Sequence, residues 1–197
     1  LTTNDHTREP DWGATPAARP LGLASEADIV RYFEAALECA DGAAGAHCAH
    51  ERMMRGAMPQ QIEADLEQLW RAASASVPDW LPMRYVSWLP TVYEVAARFT
   101  PRKRGRAHVY LVLLDFSDRA GADFGVYVGM SSYLPAQRFD QHKAGIRSAG
   151  VVLKRGVELL AGPTLHLRYI ARADAARIER ELALALADAG VAVAGGH

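Results

Sequence analysis

Tyr127-Val128-Gly129-Met130-Ser131-Ser132 reads as a strand that ends in a small polar turn and feeds a helix bearing Arg138 and His142. Four residues apart, the guanidinium and the imidazole share one helical face just beyond the strand's exit. Upstream, Phe124-Gly125-Val126 extends the strand. Alternation then puts Phe124, Val126 and Val128 on one face and Gly125, Tyr127 and Gly129 on the other. Tyr127 thus stands between two positions without side chains, an open floor for its hydroxyl. A glycine inside a strand weakens it, and close approach of a ligand is one reason to accept that cost. A phenol, a guanidinium and an imidazole at one strand end suit a phosphodiester better than a hydrophobic core.

Outward from this stretch, His108 to Asp115 (HVYLVLLD) is β-branched, aromatic and apolar on both faces, as a central strand should be. Phe116 to Asp123 reads as the connecting loop. Pro135 suits the first turn and Gly145 the C-terminal cap of a helix over 135–144. Residues 148–160 predict a second short helix, and Thr164 to Ile170 (TLHLRYI) alternates as a third strand. Asp174 is placed to cap a last helix over 175–189, closed by Gly190. The predicted class is α+β: a small antiparallel three-stranded sheet in the order β-β-α-α-β-α, over residues 101–197.

The preceding residues are of another kind. Residues 1–24, with Pro10, Pro16 and Pro20 and no apolar period, read as a flexible tail. Residues 25–100 read as an α-helical region. Ser25 and Asp28 make a loose capping box before Ile29, Tyr32, Phe33 and Ala36. A second helix starts near Gln60 with Ile62, Leu66, Leu69 and Trp70 on one face, and a third carries Val92, Val95, Ala96 and Phe99. Residues 1–100 hold 8 basic against 14 acidic side chains, and residues 101–197 hold 14 against 9. That asymmetry points the second half toward a polyanion and leaves the acidic helices as a possible surface for a protein partner. The basic strip Pro101-Arg-Lys-Arg-Gly-Arg106 marks the boundary. No apolar run reaches the roughly 20 residues of a membrane span, so no membrane partner is expected. The N-terminus has no signal-like apolar core, and two cysteines build no disulfide framework, so a reducing cytoplasm is the expected compartment. The spacing of Cys39, His47, Cys48 and His50 matches no common structural zinc pattern.

From His108 to His142 the residues resemble the GIY-YIG endonuclease superfamily. His108-Val109-Tyr110 stands where that family has its first motif, and Tyr127-Val128-Gly129 where it has its second. Met130-Ser131, Arg138 and His142 also match, and the likeness covers about residues 107–195. The chain departs from the family in having His108 for the first glycine, a longer loop between the tyrosines, and one extra residue between Leu134 and Arg138. The resemblance implies a divalent-metal-dependent endonuclease acting on DNA, with RNA also possible, in which Tyr110 is the preferred base and Tyr127 and His142 position the reacting groups. Arg138 would contact the phosphoryl oxygens. It also implies a carboxylate on a later helix holding Mg²⁺ or Mn²⁺. Of Glu158, Glu179 and Glu181, only Glu179 falls at the margin of the apolar stripe Ile178, Leu182, Ala185 and Leu186, and it is the expected ligand. Gly129, Ser131, Lys143, Arg147, Lys154 and Arg155 are the expected phosphate contacts. A module that binds nucleic acid without cutting it, and an adaptor acting through the helical half, are the competing functions.

Overall fold

The computed structural model describes residues 19–118 and 123–196. Most of the expected tail, Trp12, and residues 119–122 of the connecting loop lie outside the described residues. The chain forms two compact units that divide between Pro78 and Asp79.

The first unit is helical: α1 (Glu26–Glu38), α2 (Gly42–Met54) and α3 (Pro59–Ala73). Ser25 caps α1 by accepting a hydrogen bond from the Asp28 N–H at 3.1 Å. The apolar faces expected for α1 and α3 are buried, with Ile29 and Phe33 on one and Ile62, Leu66 and Leu69 on the other. Helix α2 carries no apolar stripe, because it is small on every side (GAAGAHCAH) and buried along most of its length. Its glycines admit neighbours: a Cβ at Gly45 would sit 2.4 Å from a Leu69 methyl, and one at Gly42 would sit 2.3 Å from the Val77 nitrogen. Residues 19–24 are turns, not open tail. Glu51, buried in α2, accepts from Arg19 (2.7 and 2.9 Å) and from Arg55 (2.8 Å), and Arg55 also donates to the Leu21 and Ala24 carbonyls.

The second unit starts before the basic strip, so α4 (Leu89–Ala97) belongs with the sheet and not with the helical region. It continues as β1 (Arg104–Asp115), β2 (Phe124–Ser131), α5 (Pro135–Lys143), α6 (Gly150–Arg155), β3 (Gly156–Leu160), a 3-10 turn (Gly162–Leu167), α7 (Arg172–Asp188) and β4 (Val193–Gly195). The fold is α+β, with a four-stranded mixed sheet ordered β3-β1-β2-β4 in place of the expected three antiparallel strands. The added strand β4 runs parallel to β2, pairing Val126, Tyr127 and Val128 with Val193, Ala194 and Gly195.

The third strand was expected over 164–170. There the chain winds as a 3-10 turn behind Gly162 and Pro163, with Thr164 and Leu167 buried one turn apart. Gly156–Leu160 supplies the strand instead, and only Ile170 bridges back to the start of β1. Asp174 is not the cap of α7. The cap position is Ala171, and Asp174, in the first turn, accepts from the Arg102 and Lys103 backbone N–H groups at 2.8 and 2.9 Å. Strand β1 is covered on both faces, as its composition predicts. Tyr110, Val112, Leu114 and Phe116 pack with Val152, Phe139 and Val151 from α6 and α5, while Val109, Leu111 and Leu113 are fully buried on the other side.

Candidate active site

The β1–β2 register pairs Tyr110 with Gly129, Val112 with Tyr127 and Leu114 with Gly125. Directly paired residues project to the same side, so Tyr110 and Tyr127 share a face. The glycines flanking Tyr127 do not leave it an open floor. A Cβ at Gly125 would lie 2.4 Å from the Phe116 ring, which fills that side. A Cβ at Gly129 would lie 2.5 Å from Tyr127 Cε1 and 2.8 Å from the Tyr110 hydroxyl. Gly129 is therefore the space into which both phenols lean. Gly195 of β4, at φ +89°, lies against the other edge of the Tyr127 ring.

Helix α5 delivers His142 to the same place. The Tyr110, Tyr127 and His142 rings form a triangle with centroids 6.1, 6.2 and 5.9 Å apart. The imidazole is 1% exposed, so it is a buried member of the cluster and not a solvated helix-end residue. Its tautomer follows from two contacts. The Ala149 backbone N–H donates to Nδ1 at 3.0 Å, and a nitrogen that accepts carries no proton in neutral imidazole. The proton is then on Nε2, which donates to the Tyr110 hydroxyl oxygen at 2.8 Å. The Tyr110 hydroxyl, with that oxygen as acceptor, keeps its own proton to offer, and the Tyr127 ring lies beside it with centroids 6.1 Å apart. A directed run of hydrogen bonds results, from Ala149 to His142 to Tyr110, with Tyr127 next to its end.

The electrostatics agree with that direction. Burial, reinforced by the Arg138 charge, lowers His142 from 6.5 to about 4, so it is neutral at physiological pH. Burial raises Tyr110 far above the usual phenol range; the neighbouring Tyr127 adds to this and Arg138 opposes it. Burial also raises Tyr127, the hydrogen bond from Tyr110 offsets part of that, and the Glu179 charge adds to the rise.

Arg138 is held by the turn after α5. It donates to the Gln141 side chain and the Ile146 carbonyl, each at 3.2 Å, and to the Arg147 carbonyl at 2.7 Å. Gly145 at φ +76° and Arg147 at φ +45° curl that turn so its carbonyls face the guanidinium. Its charge acts on Tyr110, Tyr127 and His142 together.

Glu179 reaches the cluster from α7. Strand β4 covers β2 only as far as Val128, and beyond it the Met130 N–H donates to Glu179 Oε1 at 3.0 Å. The other two acids lie elsewhere. Glu158, on β3, accepts from the Met83 N–H at 2.9 Å, and Glu181 is exposed and paired with Arg177 at 2.5 Å.

The expected phosphate contacts divide. Gly129, Ser131 and Arg147 are at the phenol end. Ser131, opposite His108, accepts from the Tyr133 N–H at 3.0 Å. Lys143, next to His142, donates to the Gly156 carbonyl at 2.8 Å. Arg155 holds Asp118 in a two-pronged pair (2.5 and 2.8 Å), and with Lys154 it lines a polar cleft of about 410 Å³ beside Asp115 and Ser117. That cleft is at the far end of β1, roughly 17 Å along the strand from Tyr110, so Lys154 and Arg155 are not part of the phenol cluster. His47, Cys48 and His50 are buried inside α2; burial lowers His50 to about 4 and raises the Cys48 thiol to about 12. Among the described residues no group of three or more His, Cys, Asp or Glu side chains forms a metal cage. No helix among them is long and apolar enough to cross a membrane. Sequence reasoning missed the Ala149 N–H and the role of β4: a backbone donor leaves no mark on composition, and three residues are too few to show a period.

Compared with models of known families, with curated proteins and with solved structures, the chain matches none. The likeness to the GIY-YIG superfamily rests on its residues alone.

Proposed function

We propose that the second unit hydrolyses phosphodiester bonds in DNA as a divalent-metal-dependent endonuclease. The observation that carries this reading is the meeting of Tyr110, Tyr127, His142, Arg138 and Glu179, drawn from two strands and two helices, at one end of the sheet. A guanidinium and a carboxylate gathered at one strand end with phenols and an imidazole of shifted pKa is the kind of arrangement found at reactive sites.

The donor set fits a hard cation that keeps most of its water. Glu179 alone would hold Mg²⁺ or Mn²⁺ from the protein, with water and phosphate oxygens as the other ligands. Bound there, the cation would neutralise charge on the phosphoryl group and on Glu179 itself.

The chain's own residues do the rest. Arg138, its plane fixed by three carbonyl-type acceptors, presents a charge-assisted donor to a non-bridging oxygen. The two phenols titrate as a pair, and the directed hydrogen bonds decide where the first proton leaves. With His142 Nε2–H donated to Tyr110, the Tyr110 O–H is available to Tyr127, which supports reading Tyr127 as the phenol that ionises, stabilised by the Tyr110 hydroxyl. Tyr127 is half-buried and Tyr110 is 1% exposed, so Tyr127 is also the phenol a water can reach. Tyr127, its own proton lost to solvent, then takes the proton of the attacking water as the water oxygen bonds phosphorus; the P–O bond to the leaving oxygen breaks, and that oxygen takes a proton from solvent. The resemblance favours Tyr110 for that task; the hydrogen-bond direction makes Tyr110 the supporting donor. His142, neutral and already protonated on Nε2, orients Tyr110 and is not itself the base.

The test is nicking of supercoiled plasmid with Mg²⁺ and with chelator, by the wild type and by Glu179→Ala. Metal-dependent nicking lost in the variant supports the proposal. Nicking by Glu179→Ala at the wild-type rate removes the metal assignment. A wild type that binds plasmid and never nicks it selects a non-cutting binding module.

A further inference from the structure

The ends of β1 and β2 that carry the phenol cluster also carry two exposed tyrosines. Tyr133 is 50% exposed and Tyr169 is 53% exposed. Both are tied to one cross-strand pair. His108 faces Ser131 in the register; Ser131 Oγ holds the Tyr133 N–H at 3.0 Å, and the His108 ring meets the Tyr169 ring edge-on at 4.7 Å. The histidine standing where the resembling family has glycine is thus the prop of an exposed aromatic ring.

Tyr169 sits at φ +57°, in the left-handed region that glycine or asparagine enters with less strain. Its carbonyl accepts from the Gly105 N–H at 2.9 Å, and a Cβ at Gly105 would lie 2.5 Å from the Ile170 carbonyl, so the surrounding backbone fixes the position. A bulky aromatic kept in a strained, solvent-facing turn contributes little to a core. Strain of this kind gathers where a side chain must be presented. Along the chain, Arg168 precedes Tyr169 and Arg138 follows Tyr133 by five residues. Exposed aromatic rings at the strand ends that carry the phenol cluster form a platform for unpaired nucleobases, since each base offers a face to stack.

We infer that Tyr133 and Tyr169 are stacking platforms for unpaired bases on either side of the scissile phosphate, so that the substrate is single-stranded DNA or a single-stranded segment of a branched one. The inference rests on the phosphate-site reading of Arg138 and the two phenols. It uses no sequence-specific contact, because stacking tolerates every base.

The test is fluorescence anisotropy of the full chain in chelator with three labelled probes of equal length: an oligothymidylate, an abasic oligomer with the same phosphates, and a blunt duplex. The wild type should bind oligothymidylate about 10-fold more tightly than the abasic oligomer, as stacking of a base or two provides. Tyr133→Ala with Tyr169→Gly should bring oligothymidylate down to the abasic level and leave the abasic value unmoved. Tyr169→Gly alone should unfold at the wild-type temperature or higher, because glycine relieves the strain, which separates lost stacking from lost folding. Equal binding of thymidylate and abasic probes, tighter binding of the duplex, or variants that bind oligothymidylate like the wild type would each overturn the inference. Single-strand preference in a protein that never nicks would overturn the hydrolase reading and leave the platform standing. Unchanged nicking with no single-strand preference would do the reverse.

Discussion

The two units differ in the polar groups at their centres. In the helical unit each buried charge meets a counter-charge: Glu51 lies between Arg19 and Arg55, and Asp65 is paired with Arg52. Burial pushes the Glu51 carboxyl up, but the hydrogen bonds from both arginines outweigh it and hold it below its ordinary value. In the sheet unit Asp174 is likewise held by Arg177 and two backbone N–H groups, but Tyr110 and His142 are buried without charge and hold each other through a hydrogen bond beside the half-buried Tyr127. Paired charges fix a fold. A line of neutral donors ending at a half-buried hydroxyl is poised to move a proton, which is why the second unit, and not the first, is read as the reactive one.

Mutations should separate the two arrangements by what they damage. Arg138→Ala should lower the metal-dependent nicking rate by about 10³-fold, the scale of losing one donor to the transition-state oxygens. Far-ultraviolet circular dichroism should not change. Tyr127→Phe should match that loss, and Tyr110→Phe should fall short of it, because Tyr110 only donates to the reacting oxygen; the opposite ranking would return the base to Tyr110.

Gly129→Ala should damage both properties. Its Cβ meets both phenols, and displacing them by about 1 Å is worth roughly 100-fold in rate. Overpacking should also cost about 1–3 kcal/mol in urea unfolding. Glu51→Ala should do the reverse of Arg138→Ala: a loss of about 2 kcal/mol in stability, since three charge-assisted hydrogen bonds go while the arginines can turn to solvent, with nicking at the wild-type rate below the melting temperature.

Both units hold a histidine lowered from 6.5 to about 4, His50 in one and His142 in the other, each mainly by burial. The unfolded chain binds these protons first, so stability is fully present above 6.5 and is lost as pH falls from there to about 4. Melting temperature followed across that window should decline, and His142→Gln should flatten part of the slope. Nicking followed over the same range should show no limb near the ordinary histidine value, and should rise on the alkaline side as the phenol pair loses its first proton. The smallest effect belongs to Arg155→Ala. It removes the Arg155–Asp118 ion pair at the far end of β1 and should change the nicking rate by less than about twofold.

What the sequence discloses follows the strength of each local pattern. The mostly apolar β1 and the alternating β2 can be read as strands directly, whereas the register that puts Tyr110 and Tyr127 on one face comes from the fold. Pro135 and Gly145 bracket α5 for stated backbone reasons, and Glu179 is singled out by its place beside the α7 stripe. Helix α2 is invisible because two glycines and four alanines between residues 42 and 49 leave no face apolar relative to another. Alternation over Thr164–Ile170 misleads because Gly162 and Pro163 start a tight turn, and the same residues then bury at every third position. The open floor around Tyr127 was an expectation from two glycines; only the fold shows that Phe116 fills one and the phenols fill the other. The direction of the proton chain depends on one backbone N–H, at Ala149, that no side-chain pattern encodes.

The central claim, that these side chains work together on a backbone phosphate, is tested most directly by following supercoiled plasmid with the wild type and Arg138→Ala in parallel, each with Mg²⁺ and with chelator. The account predicts open circles from the wild type with metal, and intact plasmid in the other three reactions. Equal nicking by Arg138→Ala, or nicking that persists in chelator, would contradict it.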